Sequence, residues 1–134
     1  EIMFAKADLK RVAREMMAVV VSAGNQCNYC ISHHAEALNH YWKNPEKTNS
    51  LIADFSKTEL TSKQQALCRF AQQLTLQPGG FEEDHETNRL RDAGLSDSAI
   101  LDATLVVAYF NFVNRIVLAL GVVPDEKEIK GYNY

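Results

Sequence analysis

Residues 8–42 read DLKRVAREMMAVVVSAGNQCNYCISHHAEALNHYW, and the spacing of their apolar positions decides the fold class. Leu9, Val12, Ala13, Met16, Val19 and Val20 recur at three- and four-residue steps, which marks one face of a helix from Asp8 to Val21. Ser22-Ala23-Gly24-Asn25 ends it. A second helical pattern begins near Cys27, carries Ile31, Ala35, Leu38 and Trp42 on one face, and stops before Asn44-Pro45, because the residue before proline is biased away from helix. The two helices form a hairpin with the cysteines just past its bend.

Outward from this hairpin the pattern stays helical. A short helix is expected from Asn49 to Phe55, then a fourth from Thr61 to about Leu76, opened by a capping box in which Thr61 and Gln64 satisfy each other's free amides. Pro78-Gly79-Gly80 breaks it, and a fifth helix is expected from Glu82 to Ala93, closed by Gly94. Ser96 or Asp97 caps the last and longest helix, which ends near Gly121. That final helix is apolar on most sides, so it is expected to be central to its domain or shared with another subunit. The reading is an all-α bundle of about six helices, a single domain over residues 1–134, and a homo-oligomer.

Composition agrees with this and excludes some functions. With 134 residues, 46% of them apolar, the chain has material for one core, and six Gly and three Pro are too few for a loop-rich fold. The net charge of −3, with both signs mixed, offers no basic stripe for a phosphate backbone, so nucleic acid is not an expected partner. The apolar stretch Ile100 to Val123 is interrupted by Asp102, Asn111, Asn114 and Arg115, which argues against a membrane span. No signal-peptide pattern precedes the first helix, and the expected location is cytoplasmic. Three cysteines, two of them in C-x-x-C, point to redox or metal chemistry rather than a secreted disulfide framework.

The reactive segment is Cys27-Asn28-Tyr29-Cys30-Ile31-Ser32-His33-His34. At about 100° per residue, Cys30 lies roughly 60° and His34 roughly 20° from Cys27 around the helix, so the three share a narrow face, while His33 falls about 120° away. A thiol is nucleophilic only as thiolate, and two features can remove its proton: the positive helix end near Cys27, and His34 as base or cationic partner one turn along. The first thiolate to attack a peroxide oxygen becomes a sulfenic acid, and the other cysteine condenses with it to a disulfide. Glu15, between Val12 and Val19 in projection, is pushed towards the apolar face, where a carboxylate must be neutral or paired. If the hairpin closes that face on the second helix, Glu15 can hold the His34 imidazole.

The order Glu15, Cys27, Cys30, His34 resembles the E-x11-C-x-x-C-x-x-x-H signature of the AhpD-like alkylhydroperoxidases, in the carboxymuconolactone decarboxylase superfamily. The run Arg14 to Val21 and the Asn-Tyr between the cysteines are similar to its peroxidase-related branch, and the resemblance extends through Asn111 to Val122. It implies an oligomeric all-α fold that reduces organic hydroperoxides without a cofactor or metal, recycled by a dithiol or a thioredoxin-like reductant. It also implies roles: Cys30 the peroxidatic thiol, Cys27 the resolving thiol, Glu15 and His34 the proton relay. Tyr29 stands where the best-known members carry a histidine, and members of this branch often have a longer N-terminal region than precedes Arg14 here.

The competing reading of Cys27, Cys30 and His34 is a zinc site in a non-enzymatic binding or interaction module, since thiolate and imidazole are zinc ligands; a fourth ligand is not evident. Glu15 alone reads as a solvated helix residue beside Arg11 and Arg14. His33, His40 and His85 are expected at the surface, Cys68 as a small buried hydrophobe, and Tyr29 and Trp42 as packing residues. Asn111 and Asn114 are expected either to bond across helices or subunits or to contact substrate, and Arg115 to meet a carboxylate at an interface.

Overall fold

The computed structural model describes residues 2–3, 7–82, 86–123 and 125–130. Their regular structure is all helical: α1 (Arg11–Gly24), α2 (Asn28–Trp42), α3 (Pro45–Ala53), α4 (Ser62–Leu76), α5 (Glu86–Asp92), α6 (Asp97–Leu120) and the single turn α7 (Glu126–Lys130), with 3-10 turns at Phe55–Lys57 and Pro78–Glu82. No strand occurs among the described residues. The helix ends follow local chemistry. Thr61 Oγ1 accepts from Gln64 N at 3.2 Å while Gln64 Oε1 accepts from Thr61 N at 2.9 Å, closing the capping box on α4. Ser96 Oγ caps α6 by accepting from Ala99 N at 3.1 Å. Gly94 and Gly121 take positive φ where α5 and α6 stop, the conformation that glycine adopts without steric cost.

Three helices differ from expectation at their ends, the first being α1, which runs from Arg11 to Gly24 rather than from Asp8 to Val21. The third helix starts at Pro45, four residues before Asn49, because Asn44 Oδ1 caps Lys47 N at 3.1 Å and Pro45 suits the first helical position. The expected fifth helix is shorter: residues 78–82 form a 3-10 turn, α5 begins only at Glu86, and the residues between, including His85, lie outside those described.

Of the two positions expected for the last helix, central or shared with another subunit, the first is taken by α1 instead. Every residue of α1 from Arg14 to Ser22 is buried, and the helix packs against α2, α3, α4 and α6. The consecutive apolar run Met16 to Val21 suits burial on all sides, with each large side chain worth about 1.5–3 kcal/mol when removed from water. By contrast α6 buries one face, formed by Ala99, Ile100, Ala103, Val106, Val107, Phe110 and Asn114. Its opposite face leaves Leu101 60% and Phe112 62% exposed, with Leu105, Tyr109 and Ile116 in the same stripe. The chain places α6 beside α1 and α4, and nothing among the described residues covers the outer stripe.

Candidate active site

The bend between α1 and α2 is set by backbone hydrogen bonds. Cys27 N donates to Ser22 O at 2.9 Å and Gln26 N to Ala23 O at 3.1 Å, the paired pattern of a Schellman ending, with Gln26 in the left-handed region at φ 56°. Gly24, which the sequence offers as the natural stop, is the last helical residue instead. Cys27 therefore closes one helix and caps the next, and its carbonyl accepts from Ile31 N at 2.9 Å. Cys30 follows in the first turn of α2 and His34 one turn later.

Both cysteines are buried free thiols. Burial pushes the Cys30 thiol up to about 12, helped by the hydrogen bond and charge of Cys27; a hydrogen bond from the Asn114 side chain acts in the opposite direction. Cys27 and Asn114 are thus the side chains near enough to act on the Cys30 thiol.

Glu15 is fully buried, so it is not the solvated helix residue of the simpler reading. Each of its carboxylate oxygens is engaged at 2.7 Å: Oε2 by His34 Nδ1 and Oε1 by Arg11 Nε. A carboxylate only accepts, so Nδ1 is the nitrogen that carries a proton towards Glu15. The edge of Phe110 packs against the imidazole, with ring centroids 4.4 Å apart. Arg14, the other candidate neighbour, turns away and donates to Leu9 O at 2.8 Å and Ile2 O at 2.9 Å. Arg11 as a partner of Glu15 was legible in the i,i+4 spacing. Phe110 and Asn114 carried no comparable signal, because their proximity depends on how α6 packs.

Other candidates fall elsewhere. The His33 ring lies 4.5 Å from that of Tyr29, centroid to centroid, and His40 lies against Tyr41. Cys68 is buried in the core, which pushes its thiol up to about 12. Asn111 and Asn114 bond across helices, both accepting from Asn25 Nδ2 at 3.0 Å. Arg115 meets an amide rather than a carboxylate within the chain, donating to Asn111 Oδ1 at 2.9 Å. Among the described residues no three His, Cys, Asp or Glu side chains converge as the ligands of a metal ion would. A surface cleft of about 290 Å³ opens beside Cys27 and Tyr29, faced by Val117, Leu118, Val122 and Val123 from the end of α6 and the segment after it.

Known proteins share this arrangement of helices. The sequence model of the carboxymuconolactone decarboxylase family matches residues 1–73. A crystal structure of an uncharacterized peroxidase-related protein from a Silicibacter species superposes with a TM-score of 0.89 at 30% identity, over 94% of this chain and 65% of that one. An uncharacterized peroxidase-related protein from Ralstonia eutropha, described as an alkylhydroperoxidase AhpD core, superposes with a TM-score of 0.87 at 27% identity, over 94% of this chain and 66% of that one. The chain thus spans just under two thirds of the length of either. The uncharacterized protein YdfG of Bacillus subtilis is 23% identical over 116 residues, which are 87% of this chain and 78% of the relative.

Proposed function

The chain belongs to the carboxymuconolactone decarboxylase family, and from that premise we propose that it is a thiol-dependent peroxidase of the alkylhydroperoxidase kind. The observation that carries the reading is a buried Glu15–His34 pair, 2.7 Å apart, with the buried free thiols of Cys30 and Cys27 one and two turns before His34. The peroxidase-related descriptions of the two solved relatives support it.

The chemistry follows from the protonation states. Burial keeps the Cys30 thiol protonated at rest, so its proton must leave as the peroxide arrives. His34 Nε2 is the base for that step, and Glu15 holds the ring orientation and the imidazolium charge that forms. The Cys30 sulfur attacks the terminal peroxide oxygen; the O–O bond breaks, the electron pair leaves on the alkoxide, and His34 returns its proton to give the alcohol. Cys30 is now a sulfenic acid. The Cys27 sulfur attacks it, water leaves, and a Cys27–Cys30 disulfide remains. An external dithiol, free or in a thioredoxin-like partner, reduces that disulfide and is itself oxidised. The exposed stripe of α6 suits a second copy of the chain, giving a homo-oligomer.

The reading is tested by treating the reduced protein with an organic hydroperoxide. Two thiols per chain are consumed, peptide mapping finds a Cys27–Cys30 disulfide, and Cys68 stays reduced. A thiol count that does not change overturns the proposal.

A further inference from the structure

The bend that carries Cys27 is held from α6 at two points. Ser22 O accepts from Cys27 N at 2.9 Å, and the hydroxyl of the same Ser22 accepts from Asn114 Nδ2 at 3.3 Å. Two residues before Cys27, Asn25 Nδ2 donates to Asn111 Oδ1 and to Asn114 Oδ1, each at 3.0 Å, so both of its hydrogens are used on α6. The groups behind Asn111 fix the direction of these bonds. Asn111 Nδ2 donates to Val107 O at 2.9 Å, a carbonyl that only accepts, and Asn111 Oδ1 faces Arg115 at 2.9 Å, a guanidinium that only donates. Asn111 therefore offers Asn25 an oxygen, and Asn25 presents its N–H side. Between the two anchors Gln26 keeps a left-handed backbone at φ 56°, a conformation that is unfavourable for a residue with a β-carbon and persists where its surroundings over-determine it.

We infer that Asn25 is a positioning residue of the dithiol: by gripping Asn111 and Asn114 it fixes the bend, and with it the place from which the Cys27 sulfur meets Cys30. Its part in peroxide reduction rests on the reading proposed above. Once Cys30 is a sulfenic acid, the Cys27 sulfur supplies the electron pair of the new S–S bond, the S–O bond breaks, and the hydroxyl leaves as water with the proton of the Cys27 thiol. Asn25 acts on this step through the backbone of the bend. A thiol held in place has a higher effective concentration at its partner than one on a mobile segment. A bend released from α6 has more conformations, and a smaller share of them brings the two sulfurs within bonding geometry, so the disulfide becomes easier to reduce.

The test reads the dithiol equilibrium. In the full chain carrying Cys68→Ala, the Cys27–Cys30 couple is equilibrated with mixtures of reduced and oxidised dithiothreitol, trapped by alkylation and counted by mass spectrometry, with and without Asn25→Ala. Loss of the clamp lowers the equilibrium constant for disulfide closure about tenfold, which makes the midpoint about 30 mV less negative. Asn111→Ala removes one of the two acceptors, moves the constant the same way by about threefold, and carries the test if Asn25→Ala does not fold. Leu51→Ala, a buried position on α3, lowers the urea midpoint and leaves the couple where it was, which separates positioning from loss of stability. A midpoint that is unchanged or more negative in Asn25→Ala overturns the inference, and so does a native dithiol that no mixture closes. If the midpoint shifts while hydroperoxide leaves the native dithiol intact, Asn25 keeps its role and the peroxidase reading falls. If hydroperoxide closes the disulfide but the midpoint is unmoved, Asn25 alone loses its role.

Discussion

Glu15 Oε2 and His34 Nδ1 lie 2.7 Å apart across the α1–α2 hairpin, both shielded from solvent, with Arg11 on the other carboxylate oxygen. The pair holds the imidazole by its Nδ1. Its position one turn from Cys30 and two from Cys27 sets what the following substitutions do.

Glu15→Gln keeps the shape of the side chain and removes the charge that stabilises a protonated His34. Hydroperoxide turnover falls on the order of 10- to 100-fold, while circular dichroism and the unfolding cooperativity stay as in the parent. Equal turnover in the two proteins separates the pair from the chemistry.

Cys27→Ser stops the cycle one step early. Cys30 then accumulates as a sulfenic acid after one addition of hydroperoxide, which a dimedone adduct at Cys30 in the mass spectrum detects, and steady-state turnover is lost. Cys30→Ser loses both the adduct and turnover. An adduct on Cys27 in the Cys30→Ser protein, with turnover kept, reverses the assignment of the two sulfurs.

Stability falls in alkali. Burial raises the Cys30 and Cys68 thiols from 9.0 to about 12 in the folded chain. Between those values the folded state binds more protons than the unfolded state, so the unfolding free energy decreases as pH rises. Below about pH 9 both states are protonated and this contribution is fully present; above about pH 12 it has been lost. Urea midpoints measured under reducing conditions across this range decline, and Cys68→Ala declines less steeply, whatever its offset from the cavity it leaves. Parallel slopes for the two proteins refute the link to Cys68.

Gln26 holds a left-handed conformation at φ 56°, where a β-carbon is crowded. Gln26→Gly removes that strain and gives back part of the gain through a more flexible unfolded chain, for a net stabilisation of about 0.5 kcal/mol. Chemical denaturation reads the change. A destabilisation above about 1 kcal/mol shows that the Gln26 side chain supports the bend.

The outer stripe of α6 predicts assembly. Sedimentation of the native chain gives a homo-oligomer, and Phe112→Glu, which places a charge in the middle of that stripe, shifts it towards monomer without unfolding it. A native chain that sediments as a monomer at micromolar concentration refutes this.

Local patterns were legible because they depend on neighbours in sequence. The capping box at Thr61 and Gln64, the glycine endings at Gly94 and Gly121, and the shared face of Cys27, Cys30 and His34 each involve residues within one or two turns, where helix geometry alone fixes proximity. Periodicity understated the burial of α1 and left α6 open between a central and a shared position. It marks which faces are apolar, and both helices have apolar residues to spare; which of them is enclosed depends on the number of other helices that reach it.

The all-helical fold, the hairpin and the residue types of the reactive segment followed from the sequence by itself, since helix propensity, caps and breakers act over a few residues. The tertiary structure alone decided that α1 is the enclosed helix, that Arg11 and His34 take one oxygen each of Glu15, and that Asn25 meets Asn111 and Asn114. The last of those contacts join residues 86 and 89 positions apart. Packing of side chains brings such positions together, and no local rule of spacing encodes it.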